Sequence, residues 1–221
     1  QLLISILTTD PRDGDTRWTE SLTGTPEFRL LAPDHRRYWQ LIAAELQRYG
    51  ANTLASLVRL GQGVTYREIL VDVCDKLDVN YNQKSTTETI ELALLMKVLE
   101  KSLDQMSPEE LAAFSHNMHL DLTNPTPQLI LIAVQAAIRT SSLAALELAT
   151  MLSASVITSL GGIATWGTVV VASRALSVLA GPLAIALSSA WMISDITGPA
   201  YRVTIPACII VSWLRQQHLS R

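Results

Sequence analysis

From Leu148 to Ser173, and again from Ala175 to Ser194, the chain carries no charged side chain, and Arg174 alone stands between the two tracts. Apolar runs of this length either cross a bilayer, which takes about 20 residues per helix, or have to be covered by the rest of the protein. Arg174 does not decide between these outcomes. A central arginine costs about 2.5 to 3.5 kcal/mol on insertion and each Leu, Ile or Val returns about 0.3 to 0.6, so about six apolar residues offset it. The stretch "VVVASRALSVLAGPLAIAL" holds that many. The breaks weigh more. Gly161-Gly162 and Gly181-Pro182 cut the region into pieces of roughly 14 to 18 residues, a length that suits buried helices better than a spanning hairpin. Ala, Ser, Thr and Gly are mixed with Leu, Val and Ile throughout, which allows close helix approach in either solvent. The reading is a soluble helical core, with a lipid-inserting hairpin over about 143 to 180 as the alternative.

That core predicts helices over 128–160, 163–180, 183–196 and 200–218, joined by tight Gly or Gly-Pro turns. Charges nearly buried in such a bundle must be paired, so Glu147, Arg174, Asp195 and Arg202 form an expected buried charge set. Ahead of it, "DLTNPTPQ" (121–128) interrupts the helical pattern and marks a boundary. Residues 1–120 read as an amphipathic helical subdomain and 121–221 as a hydrophobic one, the two packed as one domain.

In the first half, "TYRE" (Thr65 to Glu68), "STTE" (Ser85 to Glu88) and "SPEE" (Ser107 to Glu110) each place Ser or Thr three residues before Glu, which is capping-box spacing. Two further helices read as ending in glycine. One is "DHRRYWQLIAAELQRYG", with Trp39, Ile42, Leu46 and Tyr49 on one stripe; the other is "NTLASLVRLG", closed by Gly61. No alternating strand pattern competes. The fold class is therefore all-α: a multi-helix bundle with a hydrophobic C-terminal helical core, colicin-like in layout.

The chain is apolar for its size, with 48% hydrophobic and only 17% charged residues. A net charge of -3 gives no general attraction to nucleic acid or anionic lipid, so such contacts need a local basic patch. Cys74 and Cys208 stand far apart without CxxC spacing in apolar helical surroundings, which predicts two buried reduced thiols and a cytoplasmic chain. "QLLISIL" lacks a basic n-region and a small-residue cleavage site, so it reads as a trimmed start and not as a signal peptide.

The sequence holds no GxSxG elbow, no GxxxxGK[ST] loop, no HExxH and no GxGxxG after a strand. His116 and His119 near Asp121 are the best metal candidates, but they read as a solvated helix end with imidazoles favouring the negative dipole terminus. Metal and cofactor are therefore expected to be absent, and no catalytic residue is assigned. Partner or anion binding points instead to His35, Arg36 and Arg37 near a helix start, and to the pairs Tyr66-Arg67 and Tyr201-Arg202. The competing reading of those pairs is an internal pin, with arginines on helix ends or on Asp72 and Asp195 and with hydroxyls on buried carbonyls.

Three segments carry a family resemblance. They are His35-Arg36-Arg37 with Trp39-Gln40-Leu41-Ile42-Ala43, Tyr66-Arg67 with Ile69-Leu70-Val71-Asp72-Val73, and Ala200-Tyr201-Arg202-Val203-Thr204-Ile205-Pro206-Ala207. Together they resemble the YaaW-like family of largely uncharacterised bacterial proteins, classed beside the ubiquinol-cytochrome c chaperone domain. The resemblance implies a helical protein of assembly-factor type and carries over no catalytic residues. A non-enzymatic helical protein follows as the expectation, binding a protein partner through an apolar groove formed by the second half, as an assembly factor or stress adaptor. The alternative is conditional membrane insertion as a pore-forming hairpin. Membrane contact and homo-oligomerisation stay open as partners, nucleic acid does not, and the place of action is the cytoplasm or the inner membrane's surface.

Overall fold

A computed structural model describes residues 1–10, 14–53, 64–120, 122–159 and 200–220. Every regular element among them is helical, and the single β-bridge, Thr9 with Thr16, is isolated. The helices are α1 (Leu2–Thr8), α2 (Pro26–Leu31), α3 (Trp39–Thr53), α4 (Tyr66–Lys76), α5 (Thr87–Leu103), α6 (Pro108–Asn117), α7 (Pro127–Thr140), α8 (Ser142–Ser159) and α9 (Tyr201–Leu219), with a 3-10 turn over His35–Tyr38. The expected Gly61-terminated helix, the helices over 163–180 and 183–196, both glycine breaks, Arg174 and Asp195 lie outside the described residues.

Capping chemistry sets the helix starts. Thr65 and Ser107 each accept the N3 backbone N–H while Glu68 and Glu110 reach back to the cap N–H, as their spacing predicts. The "STTE" box does not form. Thr86 is the cap, accepting from the Thr89 N–H at 3.3 Å, so α5 begins one residue later than expected and Glu88 is released for another contact.

The helix expected over 128–160 is two helices. Ser141 is extended, and its Oγ accepts the Leu143 N–H at 3.2 Å, which starts α8 afresh. The stripe expected on α3 also needs correcting. Leu46 and Tyr49 are buried, but Trp39 is 60% exposed because the chain enters through the 3-10 turn and rotates it outward. Gly50 is no terminus either. The helix runs through it to Thr53, and its missing side chain is filled by Ile69 of α4.

At the centre lies α9, packed against α1, α3, α4, α5 and most extensively α8. It is buried nearly all round, from Val203 through Cys208 and Ile210 to Trp213, as an apolar helix without a polar face must be. One continuous core joins Ile69 and Leu70 of α4, Leu94 and Leu95 of α5, Leu152 of α8 and Ile209 of α9. The 121–128 segment therefore separates α6 from α7 without dividing the core. Buried hydroxyls in these apolar helices turn back on their own turns: Ser155 donates to the Met151 carbonyl at 2.9 Å and Ser212 to that of Cys208 at 2.7 Å. Glu147 is exposed on α8, so water solvates it and it does not belong to a buried charge set.

Candidate functional site

Three places could carry function: a buried carboxylate at the centre, an apolar groove on one side and a basic hairpin near the N-terminus. The carboxylate is Glu91. It falls in phase with Leu94, Leu95 and Val98 on the inner stripe of α5, and it is fully buried. Tyr66, the first residue of α4, donates its hydroxyl to Glu91 Oε1 at 2.7 Å. From α9, Arg215 Nε donates to Glu91 Oε2 at 2.7 Å and Nη1 to Glu88 at 3.3 Å. Three helices are thus fastened by one carboxylate. Burial pushes the Glu91 carboxyl upward, against the hydrogen bonds from Tyr66 and Arg215. Burial, and next the charges of Cys208 and Glu91, hold the Tyr66 hydroxyl far above its usual range.

Sequence reasoning singled out Tyr66 but missed Glu91 and Arg215. The available signal was a charged residue at a core phase: Glu91 three and four residues from Leu94 and Leu95, and Arg215 seven from Cys208.

Among the other nominated residues, Arg67 turns inward to the loop before α5. Its Nη2 donates to the carbonyls of Gln83 and Ser85, each at 2.7 Å. Tyr201 donates to Asp72 Oδ1 at 3.1 Å, and Lys76 Nζ lies 5.5 Å from its ring centre. The second Asp72 oxygen is buried without a hydrogen bond among the described residues. Tyr66, Arg67 and Tyr201 are thus spent on internal pins, although Tyr201, and neither arginine, takes Asp72. Arg202 is partly buried and also has an interaction within the molecule. His116 and His119 are both exposed, and α6 ends at Asn117, which leaves His119 beyond the helix in a left-handed turn (φ 53°). The two imidazoles therefore do not share a helical face.

Both cysteines are free and fully buried. Burial drives the Cys74 thiol up to about 12 and the Cys208 thiol well above its usual value, so neither supplies a thiolate near neutrality. We expect no reaction of the native protein with Ellman's reagent at about pH 8, and two thiols titrated after urea unfolding. A rapid native reaction would mean that the seam between α4 and α9 opens.

The groove runs between α5 and α7, with a volume of about 620 Å³. Leu92 and Met96 of α5 and Leu131 and Ile138 of α7 line it, and Lys97 and Arg139 stand at its rim. It joins the two halves of the chain and is not built from the second half alone. Helix α7 explains why it is open: "PQLILIAVQAAI" is apolar outside the stripe of Gln128, Gln135 and Arg139, yet only Ile130 and Val134 are buried. Ile132 is 64% exposed and Leu129 stands out beside it one turn earlier.

The hairpin is α2, the turn after it and the 3-10 turn. Phe28, His35 and Tyr38 form an aromatic clasp with ring centres 5.6 to 6.5 Å apart, and His35 Nδ1 bonds the Tyr38 hydroxyl. Burial, then the charge of the chain's amino terminus, lowers the His35 pKa against the opposing pull of Asp34. His35 is thus a neutral clasp residue, while Arg36 and Arg37 face solvent. Among the described residues no cluster of three His, Cys, Asp or Glu is arranged to hold a metal ion.

The chain is similar to a UPF0174 protein of Helicobacter pylori strain J99, 42% identical over 207 residues that cover 92% of this chain and 81% of the relative. A second UPF0174 protein of that strain is 35% identical over 204 residues, covering 90% and 97%. The UPF0174 protein YaaW of Escherichia coli K12 is 31% identical over 213 residues, covering 95% and 86%. No family model and no solved structure matches.

Proposed function

The chain belongs to the UPF0174 family, and from that premise we propose that it is a non-enzymatic helical adaptor that binds an amphipathic helix of a partner protein in the groove between α5 and α7. The observation that carries this reading is the uncovered apolar surface of α7. A helix with apolar residues on most faces is ordinarily buried on most faces; here Leu129 and Ile132 are left to solvent beside a groove lined by Met96 and Ile138. Adaptable Met and branched aliphatic side chains suit a helix inserted through its apolar stripe. Lys97 is paired with Glu100 at 2.9 Å, which leaves Arg139 as the rim cation for an acidic residue at the partner helix's edge.

A photo-crosslinking side chain placed at Ile132 in growing cells is expected to give one discrete adduct with another protein, reduced at least about tenfold by Arg139→Glu. The same probe at exposed Leu219 should give none. Adducts only within the chain itself, or equal yields at both positions, would sink the proposal.

A second reading, conditional insertion of the region from about 143 to 180, draws support from the uncharged tracts 148–173 and 175–194. The described helices themselves include none long and apolar enough to cross a membrane. Dye release from vesicles tests it.

A further inference from the structure

Helix α2 and the 3-10 turn after it fold back on each other so that their two sides differ in kind. Phe28, Leu31 and Tyr38 face inward on a small core with Leu22 and Ile4. The large exposed side chains of this segment are two apolar residues and three arginines, with Glu27, Asp34 and Gln40 exposed among them. Leu30 is 82% and Trp39 60% exposed, and Arg29, Arg36 and Arg37 are exposed with them. Within the 3-10 turn His35 and Tyr38, three residues apart, meet edge to face on the inner flank. Over residues 26–40 the three arginines outnumber the Glu27 and Asp34 carboxylates by one, a local excess of positive charge on a chain of net charge -3. The side chains of the three arginines make no ion pair or hydrogen bond among the described residues.

We propose that this hairpin docks the protein on an anionic phospholipid surface, with Leu30 and Trp39 entering the interfacial layer and Arg29, Arg36 and Arg37 meeting lipid phosphates. Charge complementarity selects this occupant. A negative leaflet attracts the three unpaired arginine side chains even on an acidic protein, because screening limits the field to about 10 Å and only Glu27 and Asp34 of the carboxylates lie within the segment. Indole at the headgroup level beside arginine is the side-chain pairing that bilayer interfaces favour. Two weak signals, apolar area and cationic charge, are also what reversible peripheral attachment requires. A nucleic acid would satisfy the arginines but leave Leu30 against sugar and phosphate. The clasp of Phe28, His35 and Tyr38 fixes the turn, so little ordering is needed on contact. The hairpin shares no residue with the α5–α7 groove, and the two sites stand or fall separately.

The test is flotation of the full chain with phosphatidylcholine vesicles, with and without phosphatidylglycerol, at low and raised salt. Partitioning is expected to favour the anionic vesicles at least about tenfold and to weaken with salt. Each arginine contributes about fivefold, so Arg36→Glu with Arg37→Glu should lower partitioning by more than about 25-fold. Leu30→Ser with Trp39→Ser should lower it at least about tenfold, and both pairs should melt like the parent because all four residues are exposed. The Ile132→Lys variant should float as the parent does. Equal partitioning on neutral vesicles, or hairpin variants that float unchanged, would overturn the proposal. So would displacement by millimolar inorganic phosphate, preferential retention on duplex DNA, or flotation with dye release insensitive to Leu30 and Trp39.

Discussion

Glu91→Ala is expected to destabilise the protein by about 3 kcal/mol in urea unfolding, near the lower end of what breaking a buried ion pair costs. The mutation removes the acceptor of both Tyr66 and Arg215 and leaves a cavity at the junction of α4, α5 and α9. Arg215 softens the loss because its side chain is 31% exposed and can turn to water or to Glu88. The decisive comparison is the pair Glu91→Leu with Arg215→Met. Exchanging both charges for apolar groups removes the desolvation penalty together with the attraction, so the double variant should lie within about 1 kcal/mol of the parent, with either sign. A double variant as unstable as Glu91→Ala would mean that the carboxylate does more than neutralise a buried cation. The pH dependence carries a sign of its own. The carboxyl is raised above its usual 4.5, so the folded state holds this proton more tightly than the unfolded chain does. Its contribution to stability is full below pH 4.5 and is lost as pH rises through the raised value. The stability difference between the parent and Glu91→Gln should therefore shift against the parent over that window. Glu88 runs the other way: backbone and Thr86 hydrogen bonds hold it low, so its contribution is lost on acidification.

Gly50→Ala should destabilise the parent by about 2 kcal/mol, although alanine is the better helix former by about 1 kcal/mol. A Cβ at this position would run into Ile69 Cγ1 and stand 2.7 Å from its Cδ1, and Ile69 is fully buried with nowhere to move. The sign should reverse in an Ile69→Ala background. There the obstructing atoms are gone, and Gly50→Ala should gain up to about 1 kcal/mol from helix propensity and partial filling of the cavity. Thermal unfolding of the four proteins closes the cycle. Equal effects in both backgrounds would show that α3 and α4 do not approach as closely as the structure places them.

The same two sites show what could be read in the sequence. Capping at Thr65 and Ser107 is a contact between residues three apart, and the spacing announces it. In the third box Thr86 and not Ser85 takes the cap, and Glu88 meets Arg215, a residue 127 positions away that no local pattern names. Gly50 looks in sequence like a terminator that closes an amphipathic run, yet a glycine that ends a helix and one that admits a neighbour differ only in what stands opposite, here Ile69. Trp39 had the right phase for burial and lost it when the chain entered α3 through a 3-10 turn. The Tyr-Arg pairs stand out in the sequence as polar residues in apolar surroundings, but only the fold shows that Tyr66 and Tyr201 each meet a carboxylate on another helix.

By itself the sequence determined the helical class, most helix starts, the buried reduced thiols and the family, because these rest on periodicity, capping, composition and segment identity, all of which are local. Tertiary structure decided which charges are buried and with whom, where apolar α7 remains uncovered, and which arginines are left to face solvent. Those outcomes depend on residues brought together from distant parts of the chain. A helical period gives the face on which a side chain stands and carries no information about the surface it meets.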